Sequence, residues 1–158
     1  MNKASEEPAA REHRLTLPEV VDGLVEDGII PKGVGEAFKK ELRYYKGDIH
    51  PLVVIADQEW KAHVEPHKAL TLEYLTEWLA RLTGLDYLHI DPLKINFQAV
   101  TDVVSNAYAT RFRILPVEVN TREVVIATTE PYLREWEAEL KPILRKEIAL
   151  IAESGADI

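Results

Sequence analysis

His63 and His67 stand four residues apart with Glu65 between them, the step that offers two imidazoles to one metal ion from one face of a helix. Pro66 interrupts that helix, so even with His50 upstream the three histidines read as polar residues of a solvated loop. Glu118, Glu123 and Glu130 lie on or beside a segment that reads as a hairpin, where two acids can face each other. Strand-flanking carboxylates are solvated far more often than catalytic, and nothing raises one of these to a general acid. The run Gly33-Val34-Gly35-Glu36-Ala37-Phe38-Lys39 lacks the second glycine beside the lysine that a phosphate loop needs and follows no strand, so it reads as a helix start. G-x-S-x-G and H-E-x-x-H are absent. The sequence therefore assigns no catalytic residue, no metal ligand and no cofactor-binding residue.

Two further groups remain. Trp78 and Trp136 fall at or beside the apolar stripes of their helices and read as core, whereas Trp60, beside Lys61 in a loop-like stretch, is the tryptophan whose exposure needs testing. Lys39, Lys40 and Arg43 form a positive patch on one helix face, suited to an acidic partner or simply to solvent.

The elements that must position these residues follow from local pattern. Thr16-Leu17-Pro18-Glu19 has the form of a capping box, with proline in the first turn. Leu17, Val21, Leu24 and Val25 then share a face before Gly28 ends the helix. A second helix is predicted from about Gly33 to Tyr45, with Val34, Ala37, Phe38, Leu42 and Tyr45 inward and Gly47-Asp48 closing it. The run 52–56 reads as a short buried segment followed by a loop. Thr71 caps a helix carrying Leu72, Leu75, Trp78, Leu79 and Leu82 up to Gly84.

The residues 87–90 alternate briefly before Asp91-Pro92, and Phe97, Val100, Val104, Ala107 and Tyr108 predict another helix. Ile114 to Val119 and Glu123 to Thr128 read as a hairpin about Asn120-Thr121, with Pro116 at a sheet edge or bulge. Pro131 is expected to open a helix through Leu133, Trp136 and Leu140, and the residues 148–152 form a last strand. The class is α+β: a helical subdomain followed by a small α-β-β-α-β subdomain with a three-stranded sheet.

Composition sets the limits. The 158 residues hold 19 Lys+Arg against 27 Asp+Glu, a net charge of −8, with 46% hydrophobic residues and no cysteine. This is globular composition, and it excludes disulfide frameworks, thiol nucleophiles and cysteine metal sites, which makes an intracellular compartment the expected one. Net acidity argues against a nucleic-acid binder, and no stretch approaches the ~20 apolar residues of a membrane span. The polar start, residues 1–13, has no apolar h-region and reads as a tail.

The segment 71–91, with Thr83-Gly84-Leu85-Asp86-Tyr87 at its centre, resembles the helix, Gly-Leu-x-Tyr turn and short strand in the N-terminal domain of the type II secretion and type IV pilus assembly ATPases, the GspE, PulE and PilB family. Tyr108-Ala109-Thr110-Arg111-Phe112-Arg113-Ile114-Leu115-Pro116-Val117 is similar to that family's A-x-R-[YF]-x-[VI]-L-P-[LV] segment. Val124-Val125-Ile126-Ala127-Thr128-Thr129-Glu130-Pro131 is similar to its L-x-V-A-x-x-[DE]-P segment. The resemblance covers about residues 70–152 in order and spacing.

Such domains precede the P-loop ATPase core of a cytoplasmic hexamer and dock the motor onto its inner-membrane platform. The resemblance implies that this chain is not itself an enzyme and carries no cofactor, ATP and Mg belonging to a core that would follow. Its partners would be that core and the cytoplasmic domain of a platform protein, with neither nucleic acid nor direct membrane insertion. Its location would be cytoplasmic, peripheral to the inner membrane through those partners. The expected organisation is a tail at 1–13, a helical subdomain at 14–85, the α+β subdomain at 86–152 and a linker from 153–158. Outward residues of the first two helices, Glu26, Lys39, Lys40 and Arg43, are the expected partner-binding surface.

Some relatives carry R-L-G-x-x-L-V-x-x-G-x-I in the helical part, which binds cyclic di-GMP. Here Leu24-Val25, Gly28 and Ile30 fit, but Glu19 falls at the arginine and Val21 at the first glycine. A second copy near Pro51-Leu52-Val53 also lacks both residues. Cyclic di-GMP sensing is therefore the alternative function, and weak or no binding is expected.

Overall fold

Thr16 is extended, at φ −110° and ψ 154°; its hydroxyl accepts from the Glu19 amide while Glu19 Oε1 accepts from the Thr16 amide at 3.0 Å. This closed capping box starts α1 (Leu17–Glu26), as the sequence predicts. The computed structural model describes residues 12–42, 49–87, 98 and 104–152. Within them the chain divides into two compact units: one is Leu15–Trp78, and the other is built from the described residues before Leu15 and from Leu79 onward.

In the first unit α1 buries Val20, Val21 and Leu24 and ends at Asp27, with Gly28 left-handed at φ 73° and the Ile29 amide donating to Leu24 O at 2.9 Å. α2 (Lys32–Lys40) is shorter than the periodicity implies, and Arg43, Tyr45, Gly47 and Asp48 lie outside the described residues. Of its expected inward residues that are described, only Phe38 is buried; Val34 is 37% exposed and Ala37 is exposed. The buried position between them is Gly35, because α2 meets α1 too closely for side chains there.

The run 51–56 is helical. In α3 (Pro51–Ala56) proline occupies the first turn and His50 Nδ1 accepts from the Leu52 amide at 3.1 Å. The loop after it is pinned by a Lys61–Ala69 bridge and by the His63 amide donating to Ile29 O at 2.7 Å. α4 (Leu72–Thr83) begins where Thr71 Oγ1 accepts from the Tyr74 amide and ends at Gly84, φ 75°. It buries Leu75, Trp78 and Leu79 but leaves Leu82 49% exposed. The division between the units falls inside α4, at Leu79.

The second unit holds β1 (Asp86–Tyr87), α5 (Asn106–Phe112), β2 (Ile114–Val119), β3 (Glu123–Thr128), α6 (Glu135–Leu144) and β4 (Glu147–Ala152). The expected α-β-β-α-β order is present, but the sheet has four strands rather than three, in the order β1-β4-β3-β2. The extra strand is two residues long and pairs parallel to β4, too short to register as a periodic pattern. β2 and β3 form the antiparallel hairpin, with a register shift between Pro116 and Glu118 on an edge strand, so Pro116 is at both edge and bulge. β3 and β4 are parallel, from Glu123 opposite Glu147 to Thr128 opposite Ala152.

One predicted helix is interrupted and the start of another moves. Val104 is not helical and Ser105 Oγ accepts from the Tyr108 amide at 3.1 Å, so α5 begins after them; Gln98, upstream, is helical, and Phe97 and Val100 lie outside the described residues. Pro131 lies in a turn closed by the Leu133 amide on Glu130 O, and α6 starts at Glu135. Phe112, Trp136 and Leu140 pack with Ile114, Val124 and Ile126 into a buried core. Strand alternation sends Ala127 and Ile151 into a second cluster with Val117 and Val125.

Tyr108 joins α5 to α6: its hydroxyl donates to Glu139 Oε1 at 2.8 Å. Partial burial first, and the Glu139 hydrogen bond second, push its phenol up to about 12 from an ordinary 10.0. Its contribution to stability is intact below the unfolded value and fades as pH rises from there toward the folded value. An ultraviolet absorbance titration compared with Tyr108→Phe should assign one phenol to this high range, and Glu139→Gln should bring it down. A Tyr108 phenolate forming near its ordinary pH would reject the contact.

Candidate functional site

Three of the four residues expected to meet a partner are described. Glu26, at the end of α1, and Lys40, in the last turn of α2, are exposed. Lys39 is not an unpaired outward cation. Its Nζ lies 2.7 Å from Asp22 Oδ1 of α1, and that hydrogen bond is the main reason its ammonium is held above the ordinary lysine value. Arg43 lies outside the described residues. The structure thus brings Lys39 and Lys40 together on α2 but ties Lys39 across to α1, a pairing at a separation that helix periodicity cannot show.

The α1–α2 pair is set by side-chain volume. A Cβ at Gly35 would stand 2.7 Å from Val25 Cγ2 and 3.2 Å from Val21 Cγ1, and one at Gly23 would stand 2.9 Å from Trp78 Cζ2. Trp78 is buried and its indole Nε1 donates to Asp27 Oδ2 at 2.7 Å, fastening the end of α1 to α4. Trp60 is half-buried and meets Phe38 edge to face, with centroids 5.1 Å apart at 81°, so it is a packing residue rather than an open stacking platform.

The positions corresponding to the dinucleotide motif lie on these same elements. Glu19, at the arginine position, spends its carboxylate on the Thr16 amide. Val21, at the glycine position, is wholly buried, and Gly28 takes the left-handed conformation that the motif's later glycine allows. In the second copy Pro51 and Leu52 are buried and the preceding His50 is a helix cap.

The histidines are placed individually. Both ring nitrogens of His67 face oxygens, Nδ1 at 3.0 Å from Ala62 O and Nε2 at 2.7 Å from Glu65 Oε2. Both ring nitrogens are therefore already engaged within the loop. Among the described residues no three His, Asp or Glu side chains are grouped to hold an ion.

Sequence reading missed Glu12. Its Oε1 accepts from the amides of Arg134 at 2.6 Å and Glu135 at 3.0 Å, capping α6, whose N-cap Arg134 makes no side-chain cap of its own. His13 stacks on Tyr132 with centroids 4.7 Å apart. The end of the polar segment is therefore docked in the second unit, through partners more than a hundred residues away that no local signal announces.

Residues 83–156 match the MshEN domain family. The type IV pilus assembly ATPase TfpB of Acinetobacter baylyi is 37% identical over 103 residues, 65% of this chain and 18% of that protein. The chain thus spans about a fifth of the curated relative it matches, 18% of its length. Among solved structures, MshE with cdg aligns over 91% of this chain and 96% of its own at a TM-score of 0.56 and 19% identity. The N-terminal domain of XpsE aligns over 93% and 94% at a TM-score of 0.42 and 13% identity. The MshEN and TfpB matches bear out the resemblance to the N-terminal domain of the secretion and pilus assembly ATPases. The family match lies in the α+β part; the MshE likeness extends the fold through the helical part.

The two glycines of α2 make a matched test. Gly35→Ala should destabilise the chain by about 1–2 kcal/mol, since overpacking against Val25 outweighs the helix-propensity gain. Gly33→Ala, with nothing within 4 Å of the added carbon, should be neutral or stabilising by about 0.5 kcal/mol. Urea unfolding followed by circular dichroism measures both; equal effects would refute the close contact.

Proposed function

We propose that this chain acts as a non-catalytic docking and regulatory domain of a secretion or pilus-assembly ATPase, coupling the motor to the cytoplasmic part of its inner-membrane platform. The observation that carries this reading is the match of residues 83–156 to the MshEN domain together with TfpB, of which this chain corresponds to only 18%. A segment of that share fits a module that positions a motor elsewhere in a longer protein. Among the described residues no helix is long and apolar enough to cross a membrane.

The docking surface is assigned to the outward side of α1 and α2, with Glu26, Lys39, Lys40 and Arg43. Lys39 contributes chiefly by holding α2 to α1 through Asp22, and Lys40 is the exposed cation of the described pair. The second reading, cyclic di-GMP sensing, is favoured by one observation, the likeness of the whole fold to MshE with cdg. Against it stands Glu19. At the position of the motif arginine the chain presents a carboxylate that is already committed to the capping box. An anionic phosphate there meets like charge.

Two measurements separate the readings. Lys40→Glu with Arg43→Glu leaves the Lys39–Asp22 pair intact and should cut recovery of the platform protein's cytoplasmic domain several-fold in a pull-down, with an unchanged circular dichroism spectrum. Undiminished recovery would remove this surface. In titration calorimetry cyclic di-GMP should give no saturating heat at micromolar concentrations; a dissociation constant of about 1 μM or tighter, roughly −8 kcal/mol, would establish the sensing reading instead.

A further inference from the structure

The second unit gathers positive charge at one end of its sheet. A cleft of about 560 Å³ is lined by Thr121, Arg122, Lys141, Arg145, Lys146 and Glu147. It sets four cations against one carboxylate, in a protein whose net charge is −8. The one acid is already engaged, with Glu147 Oε1 3.3 Å from Lys141 Nζ. Among the described residues no carboxylate pairs with Arg122, Arg145 or Lys146.

We propose that this cleft is a binding site for a phosphate-bearing ligand. Its walls come from two elements, the β2–β3 turn and the junction of α6 with β4, and the Glu147 amide donates to Arg122 O at 2.9 Å to hold them together. Basic residues at a helix C-terminus ordinarily complement the dipole, and Lys141 and Arg145 suit that role. Arg122 lies on a hairpin turn and Lys146 lies beyond the helix, so the dipole explains neither. Arg145 also occupies a left-handed position, φ 56° and ψ 38°, where glycine is the easiest residue, yet the chain places a guanidinium there.

The chemistry of the lining selects phosphate. Two planar guanidinium groups offer paired donors matched to phosphate oxygens, with ammonium groups and the Thr121 hydroxyl to complete the shell. The cleft volume falls in the range of small-molecule sites, so a compact, multiply charged anion fits it better than an extended acidic peptide with singly charged groups. Two sources present this chemistry: a free polyphosphate such as the tail of a nucleotide, or the headgroup of an anionic phospholipid at the inner face of a membrane.

The test uses the whole chain. Pyrophosphate is titrated while backbone amide shifts are followed by NMR, and sedimentation with phosphatidylglycerol vesicles is measured in parallel. Saturable shifts centred on 121–123 and 141–147 that weaken about tenfold or more in Arg122→Glu/Arg145→Glu support a free-phosphate ligand. Vesicle binding lost in the same double variant supports a headgroup. Arg122→Lys/Arg145→Lys, which keeps charge but not the paired donors, should weaken binding less than the reversal and leave the amide spectrum folded. No binding to either probe, equal binding by the charge-reversed variant, or equal displacement by poly-glutamate would overturn the proposal.

Discussion

Parallel pairing of β3 with β4 is the constraint on which the second unit depends. Parallel neighbours cannot be joined by a turn, because the chain leaves one strand at the end of the sheet opposite to where it must enter the next. α6 makes the return, held on the sheet by Trp136 and Leu140 against Ile114, Val124 and Ile126. Running back in this way, the helix delivers its C-terminus to the start of β4, which is also the start of β3 and the site of the β2–β3 turn. The meeting of Arg122 with Lys141, Arg145 and Lys146 is thus a product of topology. Charge sorting along α6 sharpens it, with Glu12, Glu135 and Glu137 at the amino end and the cations at the carboxyl end.

In the first unit close approach replaces buried area. α2 buries little besides Phe38, which is too small an apolar face to hold a helix by burial alone. It is held instead by the absence of a side chain at Gly35, by the Lys39–Asp22 pair and by the edge-to-face contact of Phe38 with Trp60. Trp78 performs the corresponding task for α1, through Asp27 and the space left by Gly23. An outward surface on α1 and α2 therefore rides on a pair whose spacing is fixed to within a methyl group. That precision suits a docking face better than a pocket that must open.

Legibility in the sequence followed locality. The Thr16–Glu19 box, the Thr71 cap, the hairpin about Asn120-Thr121 and the core roles of Trp78 and Trp136 all depend on residues within a few positions, and all appear as read. Pro116 was legible because a missing amide restricts it to an edge or bulge wherever the strand lies. Partners distant in sequence were not legible. Glu12 on α6, Asp22 on Lys39, Asp27 on Trp78 and β1 on β4 each join segments that no periodicity links. The start of α6 shifted because the Glu130 carbonyl took a hydrogen bond that competes with the predicted first turn, and Ser105 capped α5 inside a run read as one helix.

The same distinction applies to charge. A net −8 describes the far field, and at physiological salt that field is screened beyond about 8 Å, so it says little about what any one cleft attracts. The two units present opposite charge at these two places. In the helical unit the motif position that would receive a phosphate carries Glu19, and exchanging that acid for arginine would first open the capping box that begins α1. Recognition and folding compete there for one residue. In the α+β unit Arg122, Arg145 and Lys146 are engaged by no carboxylate among the described residues, and the backbone that holds them is fixed by the β3–β4 pairing whether or not they are arginine and lysine. There the cationic chemistry is independent of the fold, and a side chain that folding does not require is open to use in binding.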